Sequence, residues 1–443
     1  MTAMLLFLCA SAQAVQEPVE TPLQALAQWQ SLRRSGDALR ADAFLRTQRK
    51  RLFVMAQLDL YTRLVEISSG GPADYSGTEQ ILAVYDGLET RTAREDKQRT
   101  AIRSRREAIA KLSSETAIPI TLALRRIQSM SGPVMREKPQ EAEAAFAEGL
   151  KLVVQAEDRY AESVLRNLVG ELLRATNRPR EAMQSLNQAI ELQAAAGDCA
   201  GGAITLLRAG QALTVLSEFR AAKAALERSI EFARDADDRS IESDAWEELG
   251  TLYMQFGQPG EALDRYKKAL ELRGPANRLL LLTNLAGAYR RSGEVEKGRE
   301  IYDAVLAAAT GPEDSEARIS ALVQMSVMQA EAGKFKEAAE RGEEALEILD
   351  KQHLFGGRSA LEGNVAQYRW NLGEYDRAKA RFERALNCTR EEGNREAEAW
   401  ILGQWGGLLL LRPDGLADAT AKLSQSVAIT ESVREQMGML EQE

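Results

Sequence analysis

The chain has 443 residues, of which 44% are hydrophobic and 28% are charged. Its formal net charge of −9 argues against nucleic acid as the main partner, because a polyanion binds basic surfaces. Alternating runs of β-branched residues are few, so a strand-based fold has little support. One compact core would be unusually large at this length, whereas an array of stacked helices avoids that limit.

The first fourteen residues, "MTAMLLFLCASAQA", have an apolar run followed by the small-residue pattern Ala12-Gln13-Ala14. This pattern predicts a signal peptide over residues 1–14 and export to the periplasm or the cell exterior. The segment lacks Lys and Arg before the apolar run, and a frayed apolar N-terminus in a cytoplasmic chain is the alternative. No stretch reaches the roughly 18 apolar residues of a membrane-spanning helix, so no membrane span is expected.

Residues 22–137 carry helical periodicity, interrupted by the loop "SSGGPADYSG" at residues 68–77. They predict an N-terminal helical region, built as degenerate repeats or as a small bundle, that caps the remainder of the chain. Basic residues concentrate between Arg46 and Arg51 and between Arg91 and Arg106. A solvated helix face is the preferred interpretation, and a surface for an anionic partner is the alternative.

The stretch "WEELGTLYMQFGQPGEALDRYKKALEL", residues 246–272, predicts two amphipathic helices. Gly257 suits the end of the first helix and Pro259 the first turn of the second. The short connection requires antiparallel neighbours. Gly250 and Ala262 lie inside the two apolar stripes, where small side chains allow the helices to approach closely. The stretch therefore predicts a helical hairpin.

The small residues of this hairpin recur along the chain in steps of 40 residues, with one step of 36. We call the small residue of each first helix the small position. A looser copy near the C-terminus contains Trp405 and Gly406. The spacing predicts an array of about seven repeats over residues 138–431, followed by a tail at 432–443. The small positions are Gly170, Gly210, Gly250, Ala286, Ser326 and Ala366, and the second-helix positions are Ala142, Ala182, Ala222, Ala262, Gly298, Ala338 and Ala378.

The motif W-x2-L-G-x2-Y…A-x3-Y-x2-A…P resembles the tetratricopeptide repeat. The resemblance covers residues 138–431, and the 40-residue copies are similar to the longer-repeat branch found in kinesin light chains and bacterial signalling proteins. It implies an all-α, right-handed superhelical solenoid of antiparallel hairpins with an N-terminal helical cap region. It also implies a protein-interaction scaffold that binds a peptide or partner protein in a concave groove. The motif is carried by Trp246, Leu249, Gly250, Tyr253, Ala262, Tyr266, Ala269 and Pro275.

The resemblance also implies which residues line the groove. In the family, the groove uses residues one and four after the small position of each first helix, and in long repeats an asparagine two before it. An amide there can donate to and accept from a peptide backbone. Asn284 and Asn364 match, but the other copies depart, and capping within the hairpin is the alternative role for both asparagines. The resulting candidate residues are Arg174, Gln211, Thr251, Asn284, Arg290, Arg291, Asn364, Gln367 and Trp370.

Residues with catalytic or metal-binding spacing are lacking. The single histidine, His353, lies in a linker without a nucleophile motif, and Cys199 and Cys388 lie in distant repeats. The sequence has no C-x-x-C, H-E-x-x-H or P-loop motif. We therefore predict no enzyme activity, no metal and no cofactor.

The last residues, "LSQSVAITESVREQMGMLEQE", resemble the final repeat that precedes a CHAT domain, a caspase-like peptidase module. Ile429, Glu431, Ser432 and Arg434 match its "IESxR" run loosely, with Thr430 inserted. This resemblance implies an alternative function, a regulatory array that controls a CHAT-type peptidase or another effector in cis or in trans.

Overall fold

The computed structural model describes residues 22–88, 90–130, 135, 137–274, 278–352, 357–391 and 394–440. Within these ranges the chain is helical and has no β-strand, and none of the helices there is long and apolar enough to cross a membrane. The predicted signal peptide, Pro275 and His353 lie outside the described residues. The chain divides into two compact units, residues 1–281 and residues 282–443.

Unit 1 contains the predicted N-terminal helical region and the first repeats. The region predicted over residues 22–137 holds the first six helices, together with a 3₁₀ turn at Arg49–Arg51. The helices of unit 1 are α1 (Pro22–Arg34), α2 (Ala38–Thr47), α3 (Leu52–Ser68), α4 (Ser76–Asp86), α5 (Ala93–Ala110), α6 (Ser114–Ser129), α7 (Pro139–Gln155), α8 (Arg159–Ala175), α9 (Pro179–Ala196), α10 (Cys199–Val215), α11 (Phe219–Ala236), α12 (Arg239–Gln255) and α13 (Pro259–Leu272).

Unit 2 consists of further hairpins, and its first helix begins at the end of unit 1. The last helix extends to Leu440, into the segment predicted as a C-terminal tail. The helices are α14 (Arg278–Arg291), α15 (Val295–Ala308), α16 (Ser315–Glu331), α17 (Phe335–Lys351), α18 (Arg358–Asn371), α19 (Tyr375–Glu391), α20 (Arg395–Leu409) and α21 (Leu416–Leu440).

Local signals define the ends of the repeat helices. The first helices α8, α10 and α12 each begin after an aspartate, Asp158, Asp198 or Asp238, whose carboxylate accepts hydrogen bonds from backbone N–H groups of the first turn. The predicted hairpin at residues 246–272 is confirmed as α12 and α13. Gly257 has a φ of +70° between them, and Pro259 is the first residue of α13.

Small residues at the small positions make room for a large side chain of the partner helix. A Cβ atom added to Gly170 or Gly210 would lie 2.5 Å from the side chain of Leu186 or Leu226, sixteen residues further along. At Gly250 the ring of Tyr266 takes the same place, 2.7 Å away. The predicted close approach of two backbones occurs instead at Gly298, where the added Cβ would lie 2.8 Å from the carbonyl oxygen of Ala286.

The arginine-rich N-terminal helices pack on the edge of unit 1 where second helices end and first helices begin. Gln98 on α5 donates to the carbonyl of Gly197 at 2.8 Å, and Arg94 pairs with Asp235 at 2.6 Å. Other basic side chains of this region pair within it, so the structure uses the predicted solvated face largely for internal ion pairs. These pairs are Arg49 with Glu95, Arg91 with Asp96, Arg99 and Arg103 with Asp86, and Arg106 with Glu79.

A further ion pair of the N-terminal helices is buried. Arg105 pairs with the N-cap Asp158 at 2.9 Å, and both side chains are 5% exposed. Arg105 also donates to the carbonyl oxygen and the side-chain oxygen of Gln57. The ion pair thus joins α3, α5 and the start of α8, which fixes the N-terminal helices on the first repeat.

The small position of α10 offers a test of the nesting contact. Leu226 is fully buried, so it cannot move away from a new methyl group. We expect Gly210→Ala to lower the free energy of unfolding by about 1–3 kcal/mol. Gly407→Ala on α20 is the matched control: a Cβ there meets nothing within 4 Å, and the better helix propensity of Ala is expected to stabilise by up to about 1 kcal/mol. Urea denaturation would measure both, and equal effects would contradict the nesting contact.

The buried N-cap of α10 makes stability depend on pH. Burial raises the pKa of Asp198 from 3.8 to about 6, against the opposing effect of backbone N–H donors. A carboxyl group with a raised pKa in the folded chain disfavours folding once the unfolded group ionises, so this cost develops between about pH 4 and pH 6 and persists above. Asp198→Asn keeps the cap acceptor and is expected to stabilise by about 1–3 kcal/mol near pH 7.5 and hardly at about pH 4. Urea denaturation at both pH values would check this, and an equal effect at both would refute it.

Candidate functional site

The candidate groove residues all lie on the first helices of the hairpins. In unit 1, α8 contacts α10 and α10 contacts α12; in unit 2, α18 contacts α20. In these places the first helices of neighbouring hairpins therefore lie side by side, and we call the surface that the first helices of each unit present the inner layer. Side chains just beyond the small positions lie on this layer.

In unit 1 the polar side chains of the inner layer bridge successive repeats. Glu171, one residue after the small position of α8, pairs with Arg208, two residues before the small position of α10. One repeat further, the amide of Gln211 donates to the carboxylate of Glu248 at 2.6 Å. Arg208 also donates to the side-chain oxygen of Asn167 at 2.8 Å. The candidate residue Gln211 is therefore engaged in a contact between repeats.

The ionisable groups of this layer are desolvated. Burial raises the pKa of Glu248, against the Gln211 hydrogen bond and the positive charge of Arg174. Burial likewise raises the pKa of Asp244 to about 6, although its carboxylate lies 2.8 Å from Arg273, and it lowers the pKa of Arg208. The side chains of Asp244, Glu248 and Arg208 are nevertheless partly exposed to solvent. These charged groups are therefore partly exposed and still carry a desolvation cost.

The two remaining candidates of unit 1 differ in how their donors are used. The hydroxyl of Thr251 donates to the carbonyl of Glu247 at 3.2 Å and lies 3.2 Å from the hydroxyl of Tyr266, so it is held within its own hairpin. Arg174 is half-buried, and its Nε is buried without a hydrogen-bond partner among the described residues. The partly exposed remainder of the Arg174 guanidinium is therefore the part that a ligand can contact.

In unit 2 the candidates form two groups. Arg290 pairs with Glu331 at 3.1 Å, while its Nε is buried without a hydrogen-bond partner in the described part of the chain. Asn284 is half-buried on the same helix, and Arg291 is exposed. Asn364 and Gln367 lie one helical turn apart on α18, and both are half-buried.

Trp370 was expected in the groove, but its side chain belongs to the packing of its own hairpin. It is 7% exposed, and its ring lies edge-on to Tyr375 with 4.9 Å between the ring centres. The sequence position of Trp370 matched the family pattern, whereas its contact with the following helix depended on the tertiary structure. In this structure it offers little surface to a ligand.

The bridging residues Arg208 and Glu248 were missed as functional candidates, although their partners Glu171 and Gln211 lie at groove positions. At the sequence level Arg208 and Glu248 counted only as departures from the asparagine pattern. The sequence pattern that could have identified them is a pair of complementary polar residues 37 positions apart. The first residue of the pair follows one small position directly, and the second lies two residues before the next small position. Glu171 with Arg208 and Gln211 with Glu248 both follow this spacing.

Models of the tetratricopeptide repeat match residues 165–195, 245–279 and 277–351. The chain is a tetratricopeptide repeat protein. This confirms both the repeat family and the all-helical hairpin fold expected from the sequence. None of these three models reaches residues 423–443, so the resemblance to arrays that precede CHAT domains stays a prediction.

Several solved structures have a similar fold. The apo form of RapI is 12% identical with a TM-score of 0.50, over 62% of this chain and 98% of that chain. A Rap protein complexed with competence and sporulation factor is 13% identical with a TM-score of 0.48, over 77% and 98%. Aspartyl phosphate phosphatase F from Bacillus subtilis is 14% identical with a TM-score of 0.47, over 85% and 96%. At these identities the likeness concerns the fold alone, and no curated protein matches this tetratricopeptide repeat protein in sequence.

The thiols of the repeats show no catalytic setting. Neither Cys199 nor Cys388 forms a disulfide within the described residues. Burial raises the pKa of Cys199 to about 11, so its thiol stays protonated near neutral pH.

Gln211 and Gln367 occupy the same position in their repeats but differ in their contacts. Gln211 donates a hydrogen bond to the desolvated carboxylate of Glu248, whereas Gln367 on α18 has no such charged partner among the described residues. We expect Gln211→Ala to lower the free energy of unfolding by about 1–2 kcal/mol, because it removes a hydrogen bond to a charged group. Gln367→Ala should change it by less than about 0.5 kcal/mol. Urea denaturation would compare the variants, and equal losses would show that the Gln211 contact contributes nothing specific.

Proposed function

We propose that this tetratricopeptide repeat protein is a non-catalytic scaffold that binds an extended peptide, or an extended segment of a partner protein, on its inner layer. The repeats make the chain a protein-interaction scaffold. The observation that carries the finer proposal is Arg174, a partly exposed cation on the inner layer whose positive charge acts on the desolvated carboxyl group of Glu248.

A peptide supplies what the inner layer of unit 1 lacks. Its carbonyl and carboxylate oxygens accept hydrogen bonds from a guanidinium, and a hydrogen bond to a charged donor is stronger than a neutral one. Because the Arg174 side chain is partly exposed, a peptide oxygen can reach its guanidinium and accept a charge-assisted hydrogen bond.

The inner layer of unit 2 suits the polypeptide backbone. Asn364 and Gln367 present amides one turn apart, and each amide can both donate to and accept from a peptide unit. Arg290, another of the predicted groove residues, is partly exposed on α14. These features support peptide binding with little side-chain specificity in unit 2.

Two further parts of the prediction remain proposals. Export to the periplasm or the cell exterior rests on the pattern of residues 1–14. Control of a CHAT-type peptidase or another effector rests on the resemblance of residues 423–443 alone, and no contact in the structure favours it over peptide binding.

Peptide selection followed by matched substitutions would test the function. Random peptides displayed on phage would be selected on the purified chain, and the affinity of synthesised binders would be measured by fluorescence anisotropy. We expect Arg174→Ala to weaken binding about tenfold, equivalent to about 1.4 kcal/mol, for peptides held in unit 1. Asn364→Ala with Gln367→Ala should do the same for peptides held in unit 2.

The controls are exposed residues of the same chemical type on second helices. Arg220→Ala on α11 and Asn387→Ala on α19 should leave the affinity unchanged within about twofold, since both side chains lie away from the inner layer. Circular dichroism would confirm that all variants fold. A library without binders, or binders that neither set of inner-layer variants weakens, would refute the proposal.

A further inference from the structure

The last hairpin, α20 and α21, carries an open groove of about 540 Å³ between its two helices. Trp400 and Gly403 line it from α20, and Val433 lines it from α21. Because the two helices are antiparallel, Glu396 and Arg434 lie at the same end of the groove. The groove is therefore lined by apolar side chains together with the polar Gln404, Ser426 and Thr430, and it has one charge of each sign at one end.

The hairpin before it shows what occupies such a groove. Gly363 on α18 is the equivalent of Gly403, 40 residues earlier. A Cβ added to Gly363 would lie 3.5 Å from the ring of Trp400 and 3.8 Å from the side chain of Ile401, both on α20. At that hairpin the position is thus covered by the first helix of the next repeat.

The first helix of a following repeat also covers the preceding hairpin one repeat earlier, in this case on the second helix. A Cβ added to Gly342 on α17 would lie 2.5 Å from Val365 and 3.7 Å from Leu361, both on α18. Leu361 and Val365 are four residues apart, and so are their equivalents Ile401 and Trp405. Each covering helix of unit 2 therefore presents an apolar pair at i and i+4 on one face.

At the last hairpin the described residues leave this surface open. The nearest neighbour of a Cβ on Gly403 is its own hairpin, through the hydroxyl of Ser426 at 3.3 Å. Trp400 is 46% exposed. The hydroxyl of Ser426 donates to the carbonyl of Ala399 at 2.6 Å, which fixes the distance between the two walls. The groove is thus preformed, and an exposed tryptophan beside it indicates a binding surface.

We propose that this groove is the docking site of an amphipathic α-helix from a partner protein, with aliphatic or aromatic residues at i and i+4. The helix would continue the packing that α18 and α20 make on the preceding hairpins. A folded second copy of this chain is a poor source of such a helix, because α18 and α20 bury the pair they carry: Leu361, Val365, Ile401 and Trp405 are all at most 5% exposed. The inner-layer residues tested above, Arg174, Asn364 and Gln367, do not line this groove, so the two proposals are tested separately.

A helix with the required pattern is available from the chain's own sequence and serves as the probe. A fluorescein-labelled peptide of residues 358–372, stapled on its polar face to hold the helix, would be titrated against the full chain. A staple is needed because an isolated helix of this length is marginal in water. We expect saturable binding, and at least a tenfold weaker affinity for the peptide with Leu361→Asp and Val365→Asp.

Two threonines of α21 provide a matched pair of protein variants. Thr430 and Thr420 are both exposed, and each hydroxyl donates to the carbonyl four residues before it, but only Thr430 lines the groove. We expect Thr430→Arg to weaken peptide binding at least tenfold and Thr420→Arg to leave it unchanged, because the long side chain of the former fills the groove. Both changes are on the surface, so both variants should fold.

Three results would overturn the proposal. The first is an absence of saturable peptide binding, and the second is equal affinity for the Thr430→Arg and Thr420→Arg variants. The third is a dimer of the unmodified chain in light scattering that Thr430→Arg converts to a monomer, since a second copy would then occupy the groove. Peptide selection on the inner layer could succeed or fail independently of all three.

Discussion

Three hairpins of unit 1 share one contact, in which a large side chain of the second helix lies over a small residue of the first. In unit 1 the pairs are Gly170 with Leu186, Gly210 with Leu226 and Gly250 with Tyr266. The constant offset of sixteen residues fixes the register of the two helices, because a one-residue slip would place a larger residue under the same side chain. Since each hairpin packs on the next, this contact also sets the spacing of the inner layer.

The same inner-layer positions serve different purposes in the two units. In unit 1, Glu171 with Arg208 and Gln211 with Glu248 bridge successive repeats at the cost of desolvating charged groups. Such pairs contribute more to defining one arrangement of the repeats than to stability. In unit 2, the equivalent residues of α18, Asn364 and Gln367, are amides, which carry a smaller desolvation cost. Bridging is therefore strongest where the layer is most charged.

The fold could be predicted further than the site, and the reason is the range of the interactions. Gly257, Pro259 and the small residues act within one hairpin, so their spacing in the sequence was sufficient. The role of Trp370 depended on Tyr375 in the next helix, and the partners of Arg94 and Arg105 lie far along the chain. The groove pattern taken from the family gave residues that lie on the first helices, but it could not show which of these polar residues already contact one another.

A repeat array presents a copy of its internal packing surface at each end, because every hairpin is built to receive another. In unit 1 the surface before the first repeats is covered: a Cβ on Gly149 of α7 would lie 2.5 Å from Ile127 of α6, and the buried Arg105–Asp158 pair holds the N-terminal helices in place. The last hairpin of unit 2 leaves Trp400 half exposed within the described residues. A surface shaped by the repeat itself selects for helices that resemble the repeat, so its specificity follows from the same nesting that holds the hairpins together.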